Sequence, residues 1–365
     1  MEGGTEDGTY PAGPDDADVE SGGSLRGRSQ FTHSRNASAS PRHVTFDPMT
    51  WTPWKQAWDR ALYGQDGFYR QVAGPAGHFS TASQGMPQIG ELLARALVEL
   101  MDQKGLDTFV DVGCGRGELL EQVHRLGPHI CCIGVDIVAR PQLSNPIGWL
   151  RSPGGEQLPD ELDALSDTLV FANEWLDVVP CPIAELDEDG ELREVLVNAS
   201  TGEERLGDPV SGADRRWCEL FWPVDHLEPR DRVEIGQTRD CAWDNLVSRV
   251  GSGLAVAVDY GHTIDSRPAP GTLTGFKQGR QVLPVPDGSC DLTAHVCMDS
   301  LTQDELIDQR TALRQLGVSG QTPPHDLARS HPAAYLRGLS TASAAGALTA
   351  RGGLGDFLWA FTKAR

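Results

Sequence analysis

The stretch from Phe109 to Ile137, FVDVGCGRGELLEQVHRLGPHICCIGVDI, constrains the fold more than any other part of this chain. An apolar run, Phe109 to Val112, feeds a loop with glycines at Gly113, Gly115 and Gly117, and Leu119, Leu120 and Val123 follow at helical spacing. A second apolar run, Ile130 to Val135, ends in the carboxylate of Asp136, 19 residues beyond the last glycine. Strand, glycine loop, helix, strand and acid are the parts of a nucleotide-binding βαβ unit. Glycines there let the backbone approach a ligand, and the acid at the second strand's tip accepts hydrogen bonds from ribose hydroxyls.

The rest of the chain is long enough to complete such a fold. Its 365 residues, 39% of them hydrophobic, suffice for one large or two ordinary domains with a real core. A net charge of −21 argues against nucleic acid as a partner, because affinity for phosphate backbones comes mostly from lysine and arginine. Eight cysteines, at 114, 131, 132, 181, 218, 241, 290 and 297, include no CxxC pair and no Cys/His cluster at zinc spacing, so no metal site is expected and reduced, mostly buried thiols are. No apolar h-region opens the chain, and no run reaches the length of a membrane helix. The expectation is a soluble, cytoplasmic protein without membrane insertion.

Residues 1–45 are rich in Gly, Ser, Asp, Pro and Thr and poor in large apolar side chains, which predicts a disordered tail. Trp51, Trp54, Trp58 and Leu62 then recur at helical spacing, as a core-facing helix would, and Ile89, Leu92, Leu93, Ala96, Leu97, Leu100 and Met101 form the apolar stripe of a helix over 88–104. Together residues 46–105 read as an N-terminal helical lid on a domain that fills 106–365. Trp149 and Leu150 mark a third strand and TLVFA, 168–172, a fourth. From about 182 to 236 the pattern changes to hairpins, with IAEL and REVLV flanking the turn signal Asp189-Gly190. A helical pattern at Trp243, Leu246, Val247 and Val250 leads to a fifth strand, LAVAV, whose unbroken apolar run suits a buried parallel strand. Residues 261–290 form a long Gly/Pro-containing connection after that strand's carboxyl end, where α/β ligands sit. Thr302 and Glu305 read as a capping box for a helix over 303–316. A further helix is expected around 333–339, and Phe357, Trp359 and Phe361 alternate as a closing strand with one buried face would.

The loop discriminates between cofactors. A dinucleotide site wants G-x-G-x-x-G, whereas the sixth residue from Gly113 is Glu118 and the motif reads D-x-G-x-G-x-G from Asp111. An acid just before the glycines suits a ligand with a cationic amino group and no pyrophosphate. S-adenosylmethionine is such a ligand. Asp111, Gly113, Gly115 and Gly117 resemble the donor loop of class I methyltransferases, and Asp136, followed by Ile137, resembles their ribose-binding acid.

The resemblance extends beyond the loop. GHFSTASQGMPQIGELLA (77–94), FVDVGCGRGELL (109–120), FANEWLDVVP (171–180), REVLV (193–197), LAVAVDYGH (254–262), GTLTGF (271–276) and CDLTAHVCMDSL (290–301) occur in the order and spacing of the MidA-like family of S-adenosylmethionine-dependent methyltransferases. The resemblance implies an α/β, Rossmann-like class I methyltransferase sheet: mostly parallel, helices on both faces, an antiparallel last strand, and an inserted β-hairpin region. That family includes a mitochondrial complex I assembly factor that dimethylates an arginine of a respiratory-complex core subunit. Protein arginine methylation, with an arginine-bearing protein such as a complex I subunit as partner, is therefore what the resemblance implies. The chain departs from the family at Ser83 and Gln84, where a Pro-Glu pair is usual, at Asp111 for Glu, at Cys114 for Pro, and at Ser152 for an Asp after the third strand.

Methyl transfer from a sulfonium is an in-line displacement, so the protein must mainly align the reactants and exclude water. If the acceptor is arginine, its planar, permanently charged guanidinium calls for carboxylates. Glu174, at the carboxyl end of the fourth strand, is the candidate clamp. Asp177 is either a second carboxylate or a helix N-cap. Asn173 is placed near the donor, and Asp259 and Tyr260 either line the acceptor slot or, for Asp259, cap a turn. His262 and His295 are candidates to accept a proton or are structural. Thr81, Gly90 and Glu91 fall in the block that resembles the family's lid, where Glu91 meets the donor or substrate or is merely solvated. Two other functions stay open: a small-molecule methyltransferase, and a donor-binding assembly protein without catalysis.

Overall fold

A computed structural model describes residues 51–71, 87–144 and 146–364, all within one unit spanning Phe46–Arg365. The tail over 1–45 and, within the lid, residues 46–50 and 72–86, with Thr81, Ser83 and Gln84, lie outside the described residues. Strand β1 (Trp51–Pro53) runs into helix α1 (Trp54–Tyr63), and α2 (Pro87–Lys104) precedes β2 (Thr108–Val112), α3 (Glu118–Leu126) and β3 (Cys131–Asp136). β4 (Gly148–Arg151) and β5 (Thr168–Asn173) follow, and then an insertion with β6 (Ile183–Leu186), β7 (Leu192–Asn198), β8 (Glu204–Pro209), α4 (Gly212–Phe221) and β9 (Arg232–Glu234). The chain returns through α5 (Gln237–Ser248) to β10 (Gly253–Asp259) and on to β11 (Gly261–His262), β12 (Thr274–Lys277), β13 (Arg280–Val282), β14 (Asp291–Thr293) and β15 (Val296–Cys297). It closes with β16 (Glu305–Asp308), α6 (Gln309–Gln315), α7 (Asp326–Ser330), α8 (Pro332–Leu348) and β17 (Leu358–Lys363).

The organising layer is a 7-stranded sheet in the order β16-β17-β10-β5-β2-β3-β4. β4, β3, β2, β5 and β10 run parallel, while β17 is antiparallel to both β10 and β16. This is the mostly parallel sheet with a reversed last strand that the resemblance implies. Successive side chains on a strand point to opposite faces, so each central strand feeds two cores. Phe109, Phe171 and Val256 pack with Leu93 and Leu97 of α2 and Leu120 of α3 on one face. Val110, Val170 and Ala257 pack with Trp243 and Leu246 of α5 on the other.

The insertion forms a second sheet, β1-β7-β6-β9, with β8 on the outer side of β7. Trp54, Trp58 and Leu62 of α1 are fully buried against Ile183, Val195 and Val197 of that sheet and Leu292 of β14, so the tryptophan stripe is core. The segment read as a lid is thus divided, since α1 joins the inserted sheet and α2 the central one.

Four local expectations are corrected. Trp51 is not on the helix; it pairs with Asn198 in the sheet, because Pro53 holds the residue before it extended and the helix begins only at Trp54. The capping-box reading of Thr302 and Glu305 fails as well. Residues 305–308 are captured as an edge strand by β17, and Asp308 caps the helix instead, accepting from the Thr311 amide at 2.7 Å. The closing strand has both faces covered where it lies between β10 and β16: Trp359 and its neighbour Ala360 are both buried, while Phe361 is half-buried. The connection over 261–290 carries the hairpin β12–β13, which pairs with β14. Among the described residues no helix is long and apolar enough to cross a membrane, no His/Cys/Asp/Glu group could hold a metal, and all eight cysteines are free.

Candidate active site

The loop after β2 is built on backbone geometry that only glycine adopts readily. Gly113, Gly115 and Gly117 have φ of 74°, 60° and 80°. A side chain at Gly113 would also run into Trp175, 3.3 Å from the position its Cβ would take. From Gly117 the chain enters α3. The carboxylate of Asp136, at the end of β3, ties the loop to the neighbouring strand: Oδ2 accepts from the Gly115 amide at 2.7 Å and Oδ1 from the Val138 amide at 3.0 Å. Burial pushes its carboxyl up to about 6, against the pull of those amides.

Above this loop opens a cavity of about 830 Å³. Its donor-side wall includes Gly113, Gly115, Asp136 and Ile137. Arg151, Ser152, Gly154 and Gly155 continue that wall. Ser152 donates to the Gln157 carbonyl and accepts from the Gly154 amide, shaping a tight loop against the ring of Tyr63. Size and lining suit a ligand of nucleoside size with room for a second molecule; ligand pockets run from roughly 300 to 1,000 Å³.

A second part of the lining is acidic and aromatic. Glu174, Trp175, Asp177, Tyr260, Asp291 and Thr293 line it together with Tyr63 and Tyr69. Glu174 sits directly after β5 at φ 52°, its amide donating to the Val258 carbonyl of β10 at 2.9 Å. A left-handed conformation at a non-glycine residue is uncommon, and here the pairing of β5 with β10 enforces it. No helix follows β5, so Asp177 is not a helix cap. Its Oδ2 accepts from the Tyr260 hydroxyl at 2.5 Å and the Thr293 hydroxyl at 2.6 Å, while its buried Oδ1 has no hydrogen-bond partner among the described residues. Burial raises the Asp177 carboxyl, and the two hydroxyls and Arg239 oppose that rise. Asp291 accepts from the Tyr69 hydroxyl at 2.9 Å through Oδ1, and burial, followed by the charge of Asp177, pushes it up to about 8. Tyr63 stacks on Tyr69 with ring centroids 5.4 Å apart, and its hydroxyl donates to the Val178 carbonyl.

Glu174, Asp177, Tyr260, Gly113, Gly115, Asp136 and Ile137 are thus brought together around one cavity, and seven other candidates are not among its lining residues. Asp111 is buried on the sheet face of Phe109, because its side chain alternates with that of Val112, which does reach the cavity. Gly117 shapes the loop from behind, facing Leu143. Asn173 is buried, its amide donating to Glu174 Oε1 at 3.0 Å, so it orients Glu174. Asp259 is a turn-holder: its Oδ2 accepts from the amides of Leu176 and Asp177, both at 3.1 Å. His262 is buried edge-on to Trp222, and burial with the Arg267 guanidinium 2.8 Å from its Nδ1 pushes it down to about 3, so it stays neutral and structural. His295 packs its ring edge-on to Tyr260 from outside the cavity. Glu91 pairs on the surface with Arg95 and Arg125.

The sequence reading missed Tyr63, Tyr69, Trp175, Asp291 and Thr293. Asp291 and Thr293 carried a signal, since they alternate in the quoted block CDLTAH as two polar residues on one face of a strand.

Over residues 120–316 the sequence matches the family model described as "Putative S-adenosyl-L-methionine-dependent methyltransferase". The chain belongs to this family. The methyltransferase is similar in structure to a superfamily member from Burkholderia thailandensis bound to S-adenosyl-homocysteine, with 20% identity and a TM-score of 0.67 over 86% of this chain and 88% of that one. It is similar to the native structure of an uncharacterized superfamily protein from the same organism, with 21% identity and a TM-score of 0.66 over 86% and 87% of the two chains. These likenesses establish the fold, and the MidA-like resemblance agrees with them. No curated protein matches the sequence.

S-adenosylmethionine is the cofactor of this methyltransferase family, and the residues present fit it. The glycine loop leaves backbone exposed to the cavity, and Asp136 retains acceptor capacity beyond its two amide bonds. Gly113, Gly115, Asp136 and Ile137 are the residues that would hold the donor. When bound, it supplies an electrophilic methyl group.

Proposed function

We propose that this methyltransferase transfers the methyl to an arginine side chain of a protein. The observation that carries this reading is the acidic and aromatic part of the cavity lining, where Glu174, Asp177 and Asp291 occur with Tyr63, Tyr69 and Tyr260 in the same cavity as the glycine loop. A flat cation fits such a wall. Carboxylates accept the N–H groups of a guanidinium in fixed directions, and aromatic rings accept its plane. Asp177 Oδ1, buried without a partner among the described residues, is the acceptor most in want of a donor. A guanidinium nitrogen is a poor nucleophile until its N–H bonds are polarised, and Glu174 and Asp177 do that from one side. As the new N–C bond forms and the C–S bond breaks, the departing proton goes to one of these carboxylates. Burial raises the Asp177 carboxyl, which favours its taking up a proton.

The test is transfer of labelled methyl from S-adenosylmethionine to proteins of a cell extract, followed by acid hydrolysis and amino-acid analysis. The respiratory complex I subunit implied by the family resemblance is the first purified protein to try. Label recovered as methylarginine supports the proposal. Label confined to small metabolites supports a small-molecule methyltransferase, and no label despite tight donor binding supports a non-catalytic assembly protein; either outcome overturns it.

A further inference from the structure

Beneath the acceptor wall lies a charged group that the chemistry above does not use. Arg239 is the first residue of the apolar stripe of α5, in register with Ala242, Trp243 and Leu246, and is 1% exposed. Its guanidinium donates to carbonyls: Nη2 to Asp177 at 2.8 Å, Nε to Val179 at 3.0 Å, and Nη1 to His295 at 2.9 Å. The first two belong to the turn that carries Asp177 out of β5. The third belongs to the link that follows β14, two residues beyond Thr293. Arg239 therefore fastens together the two segments whose side chains meet at Asp177 Oδ2, and its plane lies 5.6 Å above the ring of Trp58.

Burying a cation costs several kcal/mol unless charge compensates it. Apolar packing alone gives no reason to keep one here. The groups that face Asp177 are Asp259 at the end of β10 and Tyr260 just after it, Asp291 and Thr293 from β14, Glu174 and the Asp177 turn itself, Tyr63 and Tyr69 from the N-terminal segment, and His295. That ring is almost wholly acidic or phenolic, and Arg239 supplies its permanent positive charge. The same charge pulls Asp177, Asp259 and Glu234 down against the rise that burial imposes.

We propose that Arg239 is a positioning residue for the acceptor site, setting both the aim and the charge of Asp177 through the main-chain carbonyls it holds. The proposal rests on the reading of the acidic wall as the acceptor site. Charge and aim separate in two variants. Arg239→Lys keeps the charge but cannot bridge both segments, and Arg239→Gln keeps hydrogen-bonding capacity but loses the charge.

The test uses the full-length protein saturated with S-adenosyl-homocysteine. The protonated-carboxyl infrared band that disappears in Asp177→Asn is followed against pH, and binding of N-acetyl-argininamide is measured alongside. In Arg239→Gln the midpoint of that band moves to higher pH by about one unit or more, as removal of a nearby opposite charge requires. In Arg239→Lys the midpoint stays near that of the unaltered protein, while affinity for the arginine probe falls about tenfold. S-adenosyl-homocysteine affinity stays within about twofold in both, because neither variant touches the donor loop; a purely structural role would move the melting temperature and leave the midpoint alone. An unchanged midpoint in folded Arg239→Gln together with unchanged probe affinity in Arg239→Lys overturns the proposal, and one folded variant suffices to decide its own half. Failure of the unaltered protein to bind the probe overturns the guanidinium reading instead, and the infrared midpoint still decides the role of Arg239.

Discussion

At Glu174 a side chain is held in left-handed backbone by strand pairing on one side and by the Asn173 amide on the other. Removing its charge leaves the shape of the wall intact. Glu174→Gln is expected to lower turnover by about 100-fold, the scale seen when a single electrostatic contact to a reacting group is lost, while S-adenosyl-homocysteine still binds. Turnover equal to that of the unaltered enzyme would remove Glu174 from the acceptor site. Asp136 makes a separate prediction about pH. With its carboxyl raised to about 6, it is ionised at neutral pH and protonates as pH falls through that value, losing acceptor capacity towards the donor. Donor affinity should therefore decline below about pH 6 in calorimetric titrations, and Asp136→Asn should flatten that dependence at a weaker affinity. The residues legible from sequence at this scale were those whose role follows from chain position: glycines after a strand, an acid at a strand's tip, a carboxylate just past β5. Tyr63 and Tyr69 were not legible. They reach the cavity from an N-terminal segment, and only the tertiary fold brings them to Asp291, more than 200 positions away.

Elements were read well where their hydrophobic pattern had a single interpretation. The five parallel strands, α2 and the hairpin at Asp189-Gly190 lie where periodicity and turn chemistry put them. At the start of α1 the failure was local, a proline, whereas at the C-terminal strands pairing with a distant segment outweighed a local preference. Residues 305–308 carried a capping signal, but the free edge of β17 offered main-chain hydrogen bonds, and the helix start moved to Asp308. That shift is measurable. Asp308→Ala should destabilise the protein by about 1 kcal/mol in denaturant titrations, the usual worth of an N-cap, whereas Thr302→Ala should cost no capping energy. A larger loss at Thr302 than at Asp308 would restore the capping-box reading. The tryptophan stripe of α1 likewise acts through burial. Trp58→Ala should cost about 3–5 kcal/mol, since it empties a fully enclosed site that also backs the guanidinium of Arg239.

Across the whole molecule, two sheets divide the work. The central sheet ends its parallel strands in the donor loop, Asp136 and Glu174, and the inserted sheet with α1 carries Tyr63 and Tyr69 and backs β14. The cavity lies where these two bodies meet, so neither alone contains a complete site. This explains why a glycine loop read by itself implied only a nucleotide-like ligand, and why the acidic wall became visible only once β14 and the N-terminal segment were in place. The account depends first on the loop being the floor of the donor site. Titration of S-adenosyl-homocysteine into the protein and into Gly115→Val tests this directly, because a β-branched residue cannot adopt the φ of 60° that the loop requires there. One-to-one binding that is lost in the folded variant is the predicted result, and equal heats of binding in the two proteins would contradict it.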